Sequence, residues 1–125
     1  MTKDPRVYLA HMLECIQRIA TFTRDGREAF FADEMIQHAV LYNLQVMGEA
    51  AKRVTVDYRD AHPEISWRGI AALRDVLIHD YEVVDAARIW AVVENDLPGL
   101  KVALQALLPP LEQLEAELAG EFPDD

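Results

Sequence analysis

Three features of the sequence predict an all-α bundle of about five helices. Apolar residues recur at helical spacing along most of the 125 residues. No run sustains the alternation of a strand. The breaks between periodic stretches carry capping residues, glycine or proline. With 51% of the residues apolar, the chain can bury a real core and reads as one domain over residues 1–125.

The elements follow in order. Asp4-Pro5 reads as an N-cap followed by proline at the first helical position, and Leu9, Met12, Leu13, Ile16, Ile19 and Ala20 then form one face. That pattern stops near Arg24-Asp25-Gly26. A short helix over Glu28 to Ala32 precedes a long one from about Asp33 to Val54, whose stripe is Ile36, Val40, Leu44, Met47, Ala51 and Val54. A second row, Ala39, Val46 and Ala50, widens its apolar face, so this helix should touch neighbours on two sides. Tyr58 to Ile65 reads as a loop marked by His62-Pro63. Ser66 caps a helix holding Ile70, Leu73, Val76 and Leu77.

Asp85 caps the next helix, with Ile89, Val92, Val93 and Leu97 inward, and Pro98-Gly99 should kink or break it. Leu100 to Leu108 continues helically to Pro109-Pro110. Leu111, Leu114 and Leu118 then mark a final amphipathic helix within an acidic segment, residues 110–125. So many apolar faces in a small chain leave one for a partner, and a symmetric dimer is the commonest outcome.

Charge narrows the function classes. The net charge is −10, which argues against a protein that coats nucleic acid through a broad basic surface. Much of the excess lies in the acidic segment, where Glu112, Glu115, Glu117, Glu121, Asp124 and Asp125 meet no Lys or Arg. No window approaches the ~18 uninterrupted apolar residues of a membrane span. The N-terminus, Met1-Thr-Lys-Asp-Pro, has no apolar signal run. The expected location is the cytoplasm. Cys15 falls in a helical pattern and reads as a buried apolar residue.

His11, His38, His62 and His79 are far apart and form no paired metal-ligand motif. There is also no phosphate-binding glycine loop and no dinucleotide fingerprint. An enzyme built from this chain should therefore work by acid–base chemistry, with no metal and no cofactor.

One segment has the residue types for that chemistry. Arg74, Asp75, His79, Asp80 and Tyr81 cluster where an apolar helix is ending. Histidine transfers protons near neutral pH. Arginine grips a phosphate through a planar fork of donors. RNA cleavage needs both, because the 2′-hydroxyl loses a proton, the 5′-oxygen gains one, and the phosphorane between them gathers negative charge. On an ideal helix, residues five apart differ by roughly 140° and 7.5 Å. Arg74 and His79 can then cooperate only if the helix distorts near His79 or if two subunits share the site.

An Arg four to six residues ahead of a His is expected by chance about once in such a chain. Arg6 and His11 repeat it, with no function assigned to them. The full string Arg74-x-x-x-x-His79-x-Tyr81 is expected roughly once in a hundred such chains. Taken alone, His79 also suits the negative end of a helix dipole, and Tyr81 could be a packing residue. Gly48 should permit close helix contact. Asn43 and Glu49 should make interhelical hydrogen bonds, and Trp67 and Trp90 should lie in the core.

The string resembles the motif of HepT proteins, a branch of the HEPN superfamily. Leu41-Tyr-Asn-Leu-Gln-Val-Met-Gly-Glu-Ala-Ala-Lys-Arg53 resembles that family's "Asn-Leu-x-x-Ile-Gly-Glu-Ala-x-Lys" helix. His62-Pro-Glu-Ile-Ser-Trp-Arg68 resembles its "His-Pro-x-Ile-Pro-Trp" lead into the catalytic helix. Ile89-Trp90 and Asp96-Leu-Pro98 also fall at family-like places, so the likeness spans about residues 5 to 108. It implies a dimerising HEPN-type bundle with the motif at the dimer cleft. It implies metal-independent RNA cleavage by Arg74 and His79, and pairing with an MntA-type nucleotidyltransferase antitoxin that transfers AMP to Tyr81. Asp75 stands where the family often has Asn; there it could pair with Arg74, position His79 or repel substrate. Ser66 stands where a proline is common, a change confined to the helix cap. The alternative is a non-catalytic HEPN module that partners a nucleotidyltransferase, a reading the acidic balance favours.

Overall fold

Asp4 fixes where the first helix begins. Its carboxylate accepts the Arg6 backbone N–H at 2.9 Å, and Pro5 fills the first turn of α1, Pro5–Phe22. The computed structural model describes residues 4–78 and 85–119. Among those residues all regular structure is helical. After α1 come α2 (Arg27–Ala32), α3 (Glu34–Arg53), α4 (Val56–Ala61), α5 (Trp67–Ile78), α6 (Ala86–Ala91), a π-helical turn (Val92–Asp96), α7 (Leu97–Leu107) and α8 (Leu111–Leu118). Of these, α1, α3, α5, α7 and α8 are the helices of eight residues or more, which matches the expected all-α bundle of about five.

The apolar stripes account for the packing. Leu9, Met12, Cys15, Ile16 and Ile19 of α1 are buried with Val40, Leu44, Met47, Ala50 and Ala51 of α3. The long helix α3 packs against α1 on one side and α5 on the other, as its two apolar rows predict. Ala20, expected inward, is exposed, and Leu13 is only half-buried. Burial raises the Cys15 thiol above its usual pKa, consistent with a core residue.

The short connections are fixed by identifiable groups. Gly26 takes φ +91, a conformation that side-chain-bearing residues rarely adopt, and it ends the turn between α1 and α2. Asp33 caps α3 through the Met35 N–H at 2.8 Å. Gln37, buried in the first turn of α3, donates to the Phe30 and Phe31 carbonyls at 3.0 and 3.3 Å, and so satisfies the end of α2.

Two expectations about connections need correction. Tyr58 to Ile65 is not wholly loop, because Val56–Ala61 forms α4 with Thr55 as its cap. This single turn and a half buries no residue, so it leaves no apolar stripe in the sequence. Of the expected kink or break at Pro98-Gly99, the break is absent: the α-helix that starts after Asp85 is interrupted by a π turn but does not end. The backbone passes from α6 through the π turn directly into α7, with Pro98 in the first turn of α7. The π turn shifts the hydrogen-bond register just before a residue that lacks an N–H.

The tryptophans differ. Trp67 is buried, as expected. Trp90 is only partly buried; it stacks on Phe30 with centroids 5.2 Å apart and donates its indole N–H to Glu94 at 3.1 Å. The final helix α8 lays Leu114 and Leu118 over Val7, forming a second small apolar cluster. Arg6 holds that arrangement, binding Asp4 at 2.7 Å and Glu117 of α8 at 2.6 Å.

Candidate active site

The helix that carries Arg74 is anchored at its start. Trp67 opens α5 and donates its indole N–H to the His62 carbonyl at 2.9 Å. The Ser66 carbonyl accepts the first helical bond, from Ile70 N–H at 3.0 Å, which is the backbone signature of an N-cap. The Ser66 hydroxyl lies over Gly69, where a Cβ would stand 2.6 Å from it. Ile70 is buried against the core that α3 supplies, and Leu73 is partly buried beside it.

The loop before α5 is a compact aromatic corner. The His62 ring stacks on Tyr58 with centroids 4.4 Å apart, and Trp67 meets Tyr58 edge-on at 6.1 Å. His62 Nδ1 lies 3.1 Å from Glu64. The Glu64 carboxyl is held below its usual pKa by a bond from its own backbone N–H and then by His62. Burial raises the Tyr58 hydroxyl above its usual pKa. Arg59 Nε is buried here without a hydrogen-bond partner among the described residues.

Arg74 and Asp75 hold helical backbone positions in α5, immediately after Leu73, the last α5 residue whose side chain is described. His79, Asp80 and Tyr81 lie outside the described residues. A groove of about 510 Å³ runs beside the same helix, between Ile70 and Leu73 on one wall and Leu97 and Leu100 on the other. Gly69 and Gly99 lower its sides, and the π turn contributes Asn95 and Asp96. This is the described concavity nearest to Arg74 in sequence.

The other residues singled out by the sequence take the following places where they are described. Asn43 is buried, but its side chain donates to the Ala39 carbonyl of its own helix at 2.8 Å, where an interhelical bond was expected. Glu49 lies 3.9 Å from Arg53, one turn along the same helix. Gly48 is buried in α3. Arg6, whose spacing to His11 equals that of Arg74 to His79, serves as the clamp between Asp4 and Glu117, and His11 is exposed. Among the described residues no three His, Cys, Asp or Glu side chains come together as a metal site, and no helix is long and apolar enough to cross a membrane.

Comparison with known proteins adds the context that the described side chains do not supply. The family described as Ribonuclease HepT-like matches residues 12–107, a span that includes the whole Arg74–Tyr81 segment. The chain is 40% identical over 108 residues to a protein of Thermococcus cleftensis named "Probable ribonuclease HepT", covering 86% of this chain and 98% of that protein. It is 36% identical over 114 residues to a Methanocaldococcus jannaschii protein named for a gamma-glutamylcyclotransferase and a proposed RNase. That match covers 90% of this chain but 51% of the relative, so the chain spans about half its length. A second protein of the same organism, named as a proposed RNase, is 35% identical over 111 residues, or 88% of this chain and 92% of that protein. No solved structure matches the chain. The chain belongs to the HepT-like ribonuclease family.

Proposed function

We propose that this protein is a metal-independent endoribonuclease toxin. The observation that carries the reading is the 40% identity along nearly the whole length of a relative named as a ribonuclease. The Arg74-x-x-x-x-His79-x-Tyr81 string inside the matched span supports it.

His79 transfers the proton, removing it from the 2′-hydroxyl or returning it to the leaving 5′-oxygen. Arg74 binds the scissile phosphate and neutralises the phosphorane. Asp75 or Asp80 orients one of the two. A homodimer brings two copies of the motif to one cleft, which supplies a histidine for each proton transfer and removes the difficulty of their separation along one helix.

Control falls to Tyr81, as the acceptor of AMP from a nucleotidyltransferase antitoxin. The added nucleotide would place bulk and negative charge in an anion-binding cleft, so RNA is blocked by sterics and by repulsion. Purified protein incubated with RNA in EDTA tests the enzymatic reading. Cleavage by the wild type and none by His79→Ala is the expected result, and intact RNA with both proteins under all conditions overturns it.

A further inference from the structure

A second cleft lies away from the Arg74 segment. A cleft of about 820 Å³ lies between α1, the end of α7 and α8. Its walls are mostly apolar, with Ala10 and Leu13 on α1, Leu108 and Pro109 at the turn, and Leu114 on α8. Its charged edge is acidic: Glu14 and Glu115 line it, and no Lys or Arg does so among the described residues. Glu14 is bonded to Arg18 at 2.7 Å, while Glu115 has no partner among the described residues and stands exposed beside Glu112.

We propose that this cleft docks a basic, amphipathic segment of a partner protein, a short helix whose apolar side chains enter the cleft while Lys or Arg meets Glu115 and Glu112. An open apolar concavity of this size on a small protein marks a binding surface, and helix-in-groove docking is the common way to fill one. Charge selects the occupant. The chain beyond Ala119 carries Glu121, Asp124 and Asp125 and no base, so its own C-terminal residues match the rim in sign. A second copy of the chain carries a net charge of −10 and offers the acidic edge no basic excess.

The cleft is also built in advance. Leu114 and Leu118 on Val7, together with the Arg6–Glu117 bond, hold α8 in place without any ligand. Preformed walls lower the ordering cost of binding. The family match ends at residue 107, before α8 begins. The inference does not depend on RNA cleavage.

The test uses the full chain and a fluorescein-labelled synthetic Leu/Lys amphipathic peptide of about fourteen residues, with a Leu/Glu peptide of the same pattern as control. Fluorescence polarisation should show saturable binding of the Leu/Lys peptide, weakened by added salt, and none of the Leu/Glu peptide. Glu115→Lys should weaken binding about tenfold. Ala10→Trp, which fills the apolar floor, should do the same. Glu28→Lys on α2, with an identical change in net charge, should leave binding within about threefold. No binding of the Leu/Lys peptide to the wild type overturns the proposal. So does an equal loss in Glu28→Lys and Glu115→Lys, which would mean attraction to net charge alone.

Discussion

Trp67 donates its indole N–H to the His62 carbonyl at 2.9 Å, so the first residue of α5 is tied to the start of the loop that precedes it. The bond closes the aromatic corner of Tyr58, His62 and Trp67 and sets where the motif helix starts against α3. Trp67→Phe keeps a ring in the buried site but removes the donor. Among the described residues the His62 carbonyl then retains the Ile65 N–H, at 3.3 Å. The expected cost is about 1–2 kcal/mol, seen as a fall of roughly 3–8 °C in the thermal midpoint. An unchanged midpoint by circular dichroism would show that the bond contributes nothing.

The two groove glycines should respond in opposite ways. A Cβ on Gly99 meets nothing within 4 Å, and the residue is helical, so Gly99→Ala should stabilise the protein by about 0.5–1 kcal/mol through lost freedom in the unfolded chain. At Gly69 a Cβ would stand 2.6 Å from the Ser66 hydroxyl. Gly69→Ala should displace that hydroxyl and cancel the gain or reverse it. In a Ser66→Ala background the clash is gone, and the same substitution should become stabilising. Guanidinium midpoints of the four proteins check this, and equal effects of Gly69→Ala in both backgrounds would refute the steric account.

Acid should release the clamp between the N-terminus and α8. The Arg6 guanidinium bonded to Asp4 holds the Asp4 carboxyl below its usual value. A depressed carboxylate pKa contributes stability that is fully present above the unfolded-state value and is lost as pH falls through the folded one. The stability difference between wild type and Asp4→Asn should therefore stay constant from neutral pH down to the ordinary carboxylate range and shrink below it. Urea midpoints across that range provide the measurement. A difference that grows toward acid would contradict the sign.

The sequence made the long helices legible because their apolar stripes are long. Val40, Leu44, Met47 and Ala51 repeat over several turns, and all four are buried. It missed α4 because six residues that bury nothing carry no periodic signal. It placed an interruption at Pro98 but not its form, because a shift into π-helical register is a response of backbone and packing, not of residue type. At the site, spacing alone was uninformative. Arg6 and His11 share the spacing of Arg74 and His79, yet Arg6 clamps Asp4 to Glu117. What lifts the segment above chance is the added tyrosine and the family-like helices around it.

The motif residues should separate by the kind of loss they cause. A general acid–base residue typically contributes about 10²–10⁴ in rate, so His79→Ala should lower kcat by that factor in a single-turnover RNA cleavage assay. Arg74→Lys keeps one positive charge but loses the planar fork. It should cleave more slowly than wild type and faster than Arg74→Ala. If lysine restores full activity, Arg74 acts as a point charge and not through bidentate contact with phosphate.

Tyr81 should separate activity from control. Tyr81→Phe removes the hydroxyl that would accept AMP and keeps the ring, so the variant should still cleave RNA. Co-expressed with a nucleotidyltransferase antitoxin, the wild type should gain the mass of one AMP and lose activity, because the new phosphate repels substrate from the cleft. Tyr81→Phe under the same conditions should keep both its mass and its activity. An AMP adduct that persists in Tyr81→Phe would move the modification to another residue. An adduct on the wild type that leaves cleavage unchanged would remove the proposed mode of neutralisation and leave the ribonuclease reading intact.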